Sequence, residues 1–240
     1  MKHIYFDQID STNKYLKDNY LSLDDFTFVS SFNQTKGRGR LTHNWVDPKG
    51  KGIALSILIK NDKLMNINDS FPLFIASIIH KVLINLYQLP IKIKWPNDLL
   101  FNKKKLCGIL IESIVSNKID ALIIGIGINC NQHEFPIDIA STAISLSQIL
   151  NHDISMNDLL DQLIKELDKD INQLLNNNLS YNYIDYVRNN LYGLDEIIEY
   201  QKDNEFLKGR IKDLDHDGLL IIESNKQIIK VRSGEIKIRL

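Results

Sequence analysis

The segment from Ile91 to Ile128 holds several short strands in too few residues for a helix to lie between them. Over residues 91–95 apolar side chains alternate with lysines, which predicts a strand with one buried face. Further strands are predicted at residues 99–101, 106–113 and 121–128, joined by turn-like stretches at 102–105 and 116–118. A parallel crossover needs about a dozen residues or more, so these strands are expected to pair antiparallel.

Helical periodicity lies on both sides of this segment. Apolar residues recur at helical spacing from Phe71 to Tyr87, and Ser155 with Asp158 resembles a capping box that opens an amphipathic helix to about Leu175. A shorter helix is predicted from Ser11 to Tyr20, and another is expected to end by residue 192. Earlier strands are predicted at residues 4–6, 26–32 and 53–59.

After Gly193 the pattern predicts strands alone. These strands cover residues 197–200, 206–214, 219–223, 228–232 and 236–240, with tight turns at Asp217-Gly218 and Asn225-Lys226. The expected fold class is therefore α+β, with a mixed, mostly antiparallel sheet in a domain of residues 1–192. A small barrel-like β domain is expected over residues 193–240.

The composition is that of an ordinary globular protein, with 44% hydrophobic and 25% charged residues. Its net charge of -1 provides no general field for nucleic acid or for an anionic membrane. No export segment is visible, and the longest apolar run, Ala121 to Ile128, is too short to cross a bilayer. Cys107 and Cys130 form no CxxC motif and are expected to be buried apolar side chains in a reducing cytoplasm.

Several common catalytic motifs are absent from the sequence: it has no GxSxG, HExxH, EF-hand or Walker A pattern. A loop without periodicity is predicted from Gln34 to Trp45, and its first part, Gln34 to Arg40, is more suggestive. Gly37 and Gly39 let the backbone approach a ligand closely, while Arg38 and Arg40 offer bidentate donors to phosphate or carboxylate. Taken alone, such a loop is equally typical of an RNA contact or of a solvated turn.

Polar groups also cluster where predicted strands begin or end. The sequence KWPND places Lys94, Asn97 and Asp98 at a strand end, and KLCGILIE begins a strand with Lys105 and allows close approach at Gly108. In GIGIN, Gly125 and Gly127 lie on the same face of one strand and leave a gap in its side-chain layer. A flat ligand fits such a gap, although close packing of a helix explains paired glycines equally well.

These motifs together resemble the biotin protein ligase family. The resemblance covers nearly the whole chain and rests on Ser11-Thr12-Asn13, the GRGR loop with Trp45, KWPND, KLCGILIE and GIGIN, in that order. It implies a catalytic domain like that of class II aminoacyl-tRNA synthetases, followed by an SH3-like barrel. The implied reaction joins biotin and ATP into biotinyl-5'-adenylate and then transfers biotin to a lysine of a carboxylase carrier domain.

The resemblance also implies a role for each matching residue. The implied biotin-binding residues are Ser11, Thr12, Asn13, Gln34, Gly37, Arg38, Gly39, Arg40, Trp45, Lys105, Gly108, Gly125 and Gly127. The implied ATP-binding residues are Arg38, Arg40, Lys94, Asn97, Lys105 and Asn129. Lys105, Arg40 and Asp98 are the expected catalytic residues, and Asp98 is also the expected ligand of Mg²⁺.

The implied partner is the biotin carboxyl carrier domain of acetyl-CoA carboxylase or a related carboxylase. Ten residues precede Ser11, so no DNA-binding domain and no repressor role are expected, and neither DNA nor membrane is an expected partner. Monomer and homodimer both stay open. The family pattern usually has Gly-Arg where this chain has Thr42-His43, which puts one phosphate contact in doubt.

Two other functions are consistent with parts of the sequence. A lipoate protein ligase shares the fold and the adenylation chemistry, but KWPND followed by KLCGILIE and GIGIN favours biotin. An RNA-binding module would use the basic loop and the C-terminal barrel, yet the chain has no general excess of basic residues.

Overall fold

The computed structural model describes residues 2–39, 44–45, 50–65, 70–202 and 205–238. Its helices are α1 (Thr12–Asn19), α2 (Asp62–Met65), α3 (Phe71–Tyr87), α4 (Leu146–Leu150), α5 (Met156–Leu175) and α6 (Tyr183–Asn189). Its strands up to residue 129 are β1 (Lys2–Phe6), β2 (Thr27–Ser31), β3 (Gly37–Arg38), β4 (Asn44–Trp45), β5 (Gly52–Ile59), β6 (Lys92–Lys94), β7 (Asp98–Phe101), β8 (Lys104–Val115) and β9 (Ile119–Asn129). The later strands are β10 (Ile197–Lys202), β11 (Glu205–Leu214), β12 (Leu220–Ser224), β13 (Gln227–Val231) and β14 (Lys237–Ile238).

The chain divides into two compact units. The first comprises Met1–Asn66 and Lys104–Leu179, and the second comprises Ile67–Lys103 and Ser180–Leu240. The predicted domain boundary after residue 192 stays a prediction. Across the described ranges, no helix has the length and apolar character needed to span a membrane.

A mixed sheet forms the centre of the first unit, with its strands in the order β1-β2-β5-β9-β8. β1 pairs with β2 in parallel, whereas β2 with β5, β5 with β9 and β9 with β8 pair antiparallel. Every residue of β5 is buried, as expected for a central strand. Leu16 of α1 packs with Val29, Leu58 and Ile123 of three neighbouring strands, so the first helix lies on this sheet.

Local sequence signals place α1 and α5, the two longer helices of this unit, correctly. Ser11 caps α1 by accepting a hydrogen bond from the Lys14 amide at 3.3 Å, and Ser155 caps α5 by accepting one from the Asp158 amide at 3.3 Å. The predicted helix ends are confirmed to within a residue. Two short helices, α2 and α4, and the pairing of β3 with β4 inside the predicted loop were not anticipated.

The second unit contains α3, the antiparallel β6-β7 hairpin, α6 and an antiparallel sheet in the order β13-β12-β11-β10-β14. The predicted helix over residues 71–87 and the predicted all-strand tail are confirmed. Asn225 and Lys226 have φ values of 51° and 63°, which is the left-handed pair that a two-residue hairpin turn requires.

Polar residues at the N-cap of α3 and within the helix contact tyrosines from residues 181–186. The bonded pairs are Ser70 with Tyr183 at 2.8 Å, Ser77 with Tyr181 at 3.1 Å and His80 with Tyr186 at 2.7 Å. The other ring nitrogen of His80 lies 2.9 Å from the Ile91 carbonyl, so both nitrogens of this 1%-exposed side chain have partners. Burial lowers the pKa of His80 and raises the pKa of Tyr186 to about 12, so the pair is neutral.

The free energy of unfolding should fall as pH falls because of His80. An unfolded histidine titrates near about pH 6.5, whereas the folded pKa of His80 is lower, so the unfolded state takes up more protons below that pH. Urea unfolding at about pH 7.5 and about pH 5.5, on either side of that value, measures this effect. Between the two pH values, the free energy of unfolding should fall less for His80→Gln than for the wild type. His216→Gln is the control, since His216 is 87% exposed. Equal losses in all three proteins would contradict the role of His80.

Candidate active site

Glycines leave part of one face of the sheet without side chains. Gly108 of β8 lies directly opposite Gly127 of β9, and Gly127 lies opposite Ala54 of β5. Gly125 lies two residues earlier on β9 and therefore on the same face. We call Gly108, Gly125 and Gly127 the glycine shelf; it is the gap that the sequence predicts.

Trp45 and Lys105 lie against this shelf. A Cβ atom added at Gly127 would come 2.7 Å from Cζ2 of Trp45, and one added at Gly108 would come 3.1 Å from its Cζ3. The same Cβ at Gly108 would lie 2.9 Å from Nζ of Lys105. That ammonium group lies 5.8 Å from the centre of the indole ring, within the range of a cation–π interaction. The missing side chains thus make room for an aromatic wall and for a cation.

Asn13 occupies the other end of the shelf. Its Oδ1 and Nδ2 atoms lie against Gly125, where an added Cβ would come 2.8 Å from Nδ2. Oδ1 accepts a hydrogen bond from Ser56 at 2.6 Å, and Nδ2 donates to Glu112 at 2.8 Å. The Asn13 amide is therefore held in one orientation, with its nitrogen toward the carboxylate.

A second set of hydrogen bonds connects the start of α1 to the basic loop. Oε1 of Gln34 accepts from the Thr12 amide at 2.9 Å, and the Thr12 hydroxyl lies 2.7 Å from the Ser56 hydroxyl, whose single proton is donated to Asn13. Thr12, Gln34 and Ser56 are all buried. The structure thus brings the predicted residues Thr12, Asn13 and Gln34 together: Thr12 and Asn13 both contact Ser56, and Gln34 contacts Thr12.

Ser56 and Glu112 were missed as site residues. Both had a signal in the sequence, because Ser56 is the one polar residue in the strand Gly52–Ile59 and Glu112 ends the KLCGILIE motif. Neither signal identifies the contact with Asn13, because Asn13 is 43 residues from Ser56 and 99 residues from Glu112 in the sequence.

The basic loop approaches the same carboxylate. The Arg38 guanidinium lies 3.7 Å from Oε1 of Glu112, with about half of its side chain exposed. Gly37 pairs with Trp45 across the β3-β4 ladder, and an added Cβ there would lie 2.8 Å from Nε2 of Gln34. Close approach of these two segments therefore explains the first glycine of the loop.

Besides Arg38, the loop sequence contains two further cations, Lys36 and Arg40. Lys36 is exposed and pairs with Asp10 at 3.0 Å, and this hydrogen bond lowers the pKa of the Asp10 carboxyl. Arg40, Thr42 and His43 lie outside the described residues. Gly39 is the last residue of the loop that the structure describes before Arg40. The roles predicted for Gly39 and Arg40 stay predictions.

Asn129 holds the start of β8 in place. Its Nδ2 atom donates to the carbonyl of Lys105 at 3.1 Å and to the carbonyl of Ile144 at 3.0 Å. The backbone of Lys105 is further fixed by its amide, which donates to Thr142, and by its carbonyl, which accepts from the Ile144 amide. Asn129 thus contacts the backbone of Lys105, and its predicted contact with a nucleotide stays a prediction.

Lys94, Asn97 and Asp98 lie in the second unit. Lys94 is directly opposite Asp98 in the β6-β7 hairpin, and its ammonium group lies 3.4 Å from the Ile238 carbonyl. Asn97 lies in the turn between the two strands and is 7% exposed. The KWPND motif therefore forms a hairpin, with a lysine and a carboxylate on the same side.

Substitution at Gly127 should move Trp45. In Gly127→Ala, the new methyl group would overlap the indole, so Trp45 should leave the sheet and its fluorescence should shift to longer wavelength. Gly209→Ala is the matched control, because its methyl group would meet Ile222 in the second unit. It should lower the free energy of unfolding by about 1–3 kcal/mol without the shift. Unchanged emission in Gly127→Ala would contradict the placement of Trp45.

Comparison with known proteins places the chain in a family. Residues 5–129 match the model of the biotin/lipoate A/B protein ligase family, and residues 194–239 match that of the biotin protein ligase C terminal domain. The bifunctional ligase/repressor BirA of Bacillus subtilis is 28% identical over 241 residues, covering 98% of this chain and 73% of that protein. A biotin--[acetyl-CoA-carboxylase] ligase of Paracoccus denitrificans is 32% identical over 124 residues, covering 50% of this chain and 51% of the relative.

A solved structure matches over nearly the full length. It is the biotin protein ligase from Aquifex aeolicus in complex with biotin and ATP, 28% identical, with a TM-score of 0.88 and coverage of 99% of this chain and 98% of that chain. This likeness agrees with the large mixed sheet and with the small antiparallel sheet near the C-terminus. The chain therefore belongs to the biotin/lipoate A/B protein ligase family and, within it, to the biotin protein ligases.

Proposed function

We propose that this chain forms biotinyl-5'-adenylate from biotin and ATP and then transfers the biotinyl group to a lysine of a carrier domain. The observation that carries the proposal is the glycine shelf, which has a cation at one end and a fixed set of polar groups at the other. Lys105 lies beside Gly108, whereas Asn13 lies against Gly125. An acid with a polar head, an apolar middle and a carboxylate matches this order of groups.

The polar end favours biotin over lipoate. Biotin carries a ureido ring with N–H donors and a carbonyl acceptor, and Thr12, Asn13, Ser56 and Glu112 supply both kinds of partner. Lipoate ends in a dithiolane, which has neither group, so binding it would leave these side chains, of which Thr12, Asn13 and Ser56 are buried, without a ligand partner. Sites built from buried hydrogen-bonding groups reject analogues that lack them.

The cationic end supports the first step. A carboxylate oxygen of biotin attacks the α-phosphorus of ATP, the new P–O bond forms, and the bond to the β-phosphate breaks so that pyrophosphate leaves. Two anions meet in this step, and Nζ of Lys105 would stabilise both. In the second step the acceptor amine attacks the acyl carbon, loses a proton and displaces AMP.

The remaining assignments rest on the resemblance. Lys94, Asn97 and Asn129 would contact the nucleotide, and Arg38 and Arg40 would bind its phosphates. Magnesium would enter with ATP, and the Asp98 carboxylate would hold it, since Mg²⁺ commonly uses one or two carboxylates together with substrate phosphates. Among the described residues, the one cluster of three potential metal ligands is Asp215, His216 and Asp217, which does not include Asp98.

The proposed acceptor is the biotin carboxyl carrier domain of a carboxylase, with that of acetyl-CoA carboxylase as the first candidate. We place the reaction in the cytoplasm. We assign no transcriptional repression, because the net charge of -1 provides no general attraction for DNA. A gel shift with DNA that disappears at higher salt would contradict the latter assignment.

Pyrophosphate exchange tests the adenylation step. Isotope should exchange between pyrophosphate and ATP when biotin is present and stay at background with lipoate or with no acid. The reason is that the reverse reaction requires an acyl adenylate. Exchange with lipoate alone would assign the other acid, and exchange with neither would contradict the proposal.

Lys105→Ala should lower the rate of biotin-dependent exchange by about 10²–10³-fold, the usual loss when one charge-stabilising donor is removed. Lys104→Ala is the matched control. It removes the same charge from the neighbouring residue, whose ammonium group is exposed near the Ala140 carbonyl at 3.5 Å. Both variants should unfold at the wild-type temperature. Near-normal exchange in Lys105→Ala would contradict its assigned role.

A further inference from the structure

Three residues with side-chain amides lie at the end of β9 or just after it: Asn129, Asn131 and Gln132. They differ in their hydrogen bonds. Asn129 uses its nitrogen to hold the carbonyls of Lys105 and Ile144. Asn131 uses both ends, because its Nδ2 donates to the Ile154 carbonyl at 3.0 Å and its Oδ1 accepts from the Ile154 amide at 3.0 Å. Gln132 is 2% exposed, and neither its Oε1 nor its Nε2 has a hydrogen-bond partner among the described residues.

The backbone of Gln132 is nevertheless fixed. Its carbonyl accepts hydrogen bonds from the hydroxyls of Ser145 at 2.6 Å and Ser147 at 3.4 Å. A buried amide that lacks partners on both atoms destabilises the folded chain, and native proteins satisfy nearly all such groups. An immobile backbone with an unsatisfied donor and acceptor is therefore the arrangement expected of a residue that waits for a ligand.

The position of Gln132 indicates which part of the substrates it meets. Along β9, Asn13 lies at Gly125, and Trp45 lies at Gly127. Asn129 lies about 13 Å beyond Gly125 at the usual rise of about 3.3 Å per residue. An acid whose head lies at Asn13 and whose carboxylate lies at Lys105 places the attached nucleotide toward the end of β9, where Gln132 follows.

We propose that Gln132 determines nucleotide specificity by binding the edge of adenine. Its Oε1 would accept from the exocyclic amine, and its Nε2 would donate to the adjacent ring nitrogen. A side-chain amide has the spacing of donor and acceptor that matches this edge. This inference rests on the proposed adenylation reaction and adds a residue that reads the base.

The test compares ATP with purine riboside triphosphate, which lacks the exocyclic amine, in biotin-dependent pyrophosphate exchange. The wild type should prefer ATP by about tenfold in kcat/KM, the order expected for one lost base-edge hydrogen bond. Gln132→Met should lose most of this preference because the KM for ATP rises, whereas the KM for biotin should stay unchanged. Without nucleotide, this variant should unfold at a higher temperature than the wild type, since an unsatisfied amide is replaced by an apolar side chain.

Gln173→Met is the matched control. Gln173 lies near the end of α5 and also has a buried Oε1 without a partner, but it is distant in sequence from β9, and this variant should keep the full preference for ATP. A wild type that uses both nucleotides equally well would overturn the proposal without any variant. An unchanged preference in Gln132→Met, or a rise in the KM for biotin instead, would also overturn it. Failure of adenylation itself would look different, because the wild type would then show no exchange with ATP.

Discussion

The contact of Trp45 with the paired glycines of β8 and β9 is the constraint on which the site depends. Gly108 and Gly127 face each other across the ladder. A methyl group at Gly127 would overlap the indole, and one at Gly108 would overlap the end of the Lys105 side chain and press on the indole. The indole in turn gives the Lys105 ammonium an aromatic neighbour at 5.8 Å. Three segments far apart in the sequence thus have to fit within a single side-chain layer, and the absence of two Cβ atoms makes this possible.

The polar groups around this contact hold one another in place. Ser56 contacts both Thr12 and Asn13. Glu112 accepts a hydrogen bond from Asn13 and forms an ion pair with Arg38. Such a network fixes the direction of each donor before a ligand arrives, which limits the cost of ordering them on binding. The second unit uses the same chemistry for another purpose. There, His80 bonds Tyr186 with one ring nitrogen and the Ile91 carbonyl with the other, and so attaches α3 to the segment after residue 180.

Elements with a local signal could be predicted from the sequence, and elements that depend on distant contacts could not. The caps at Ser11 and Ser155 lie three residues from the amides that they bind, so the sequence alone identifies them. The β3-β4 ladder joins Gly37 to Trp45 in a stretch with no periodicity, and its pairing follows from tertiary contacts. The helix α4 has only five residues, which is too short to show a helical periodicity in the sequence, although a capping box at Ser145 starts it.

The same distinction applies to the site. Glycines and lysines in motifs indicated where a ligand could approach, because their chemistry is visible residue by residue. Ser56 and Glu112 act through Asn13, so their importance depends on a contact that no spacing rule gives. Gln132 shows the limit most clearly. The sequence singles out Asn129, within GIGIN, and gives no signal at Asn131 or Gln132. Only a full account of hydrogen bonds shows that Asn129 and Asn131 bind backbone groups, whereas Gln132 has no partner among the described residues for either polar atom of its side chain.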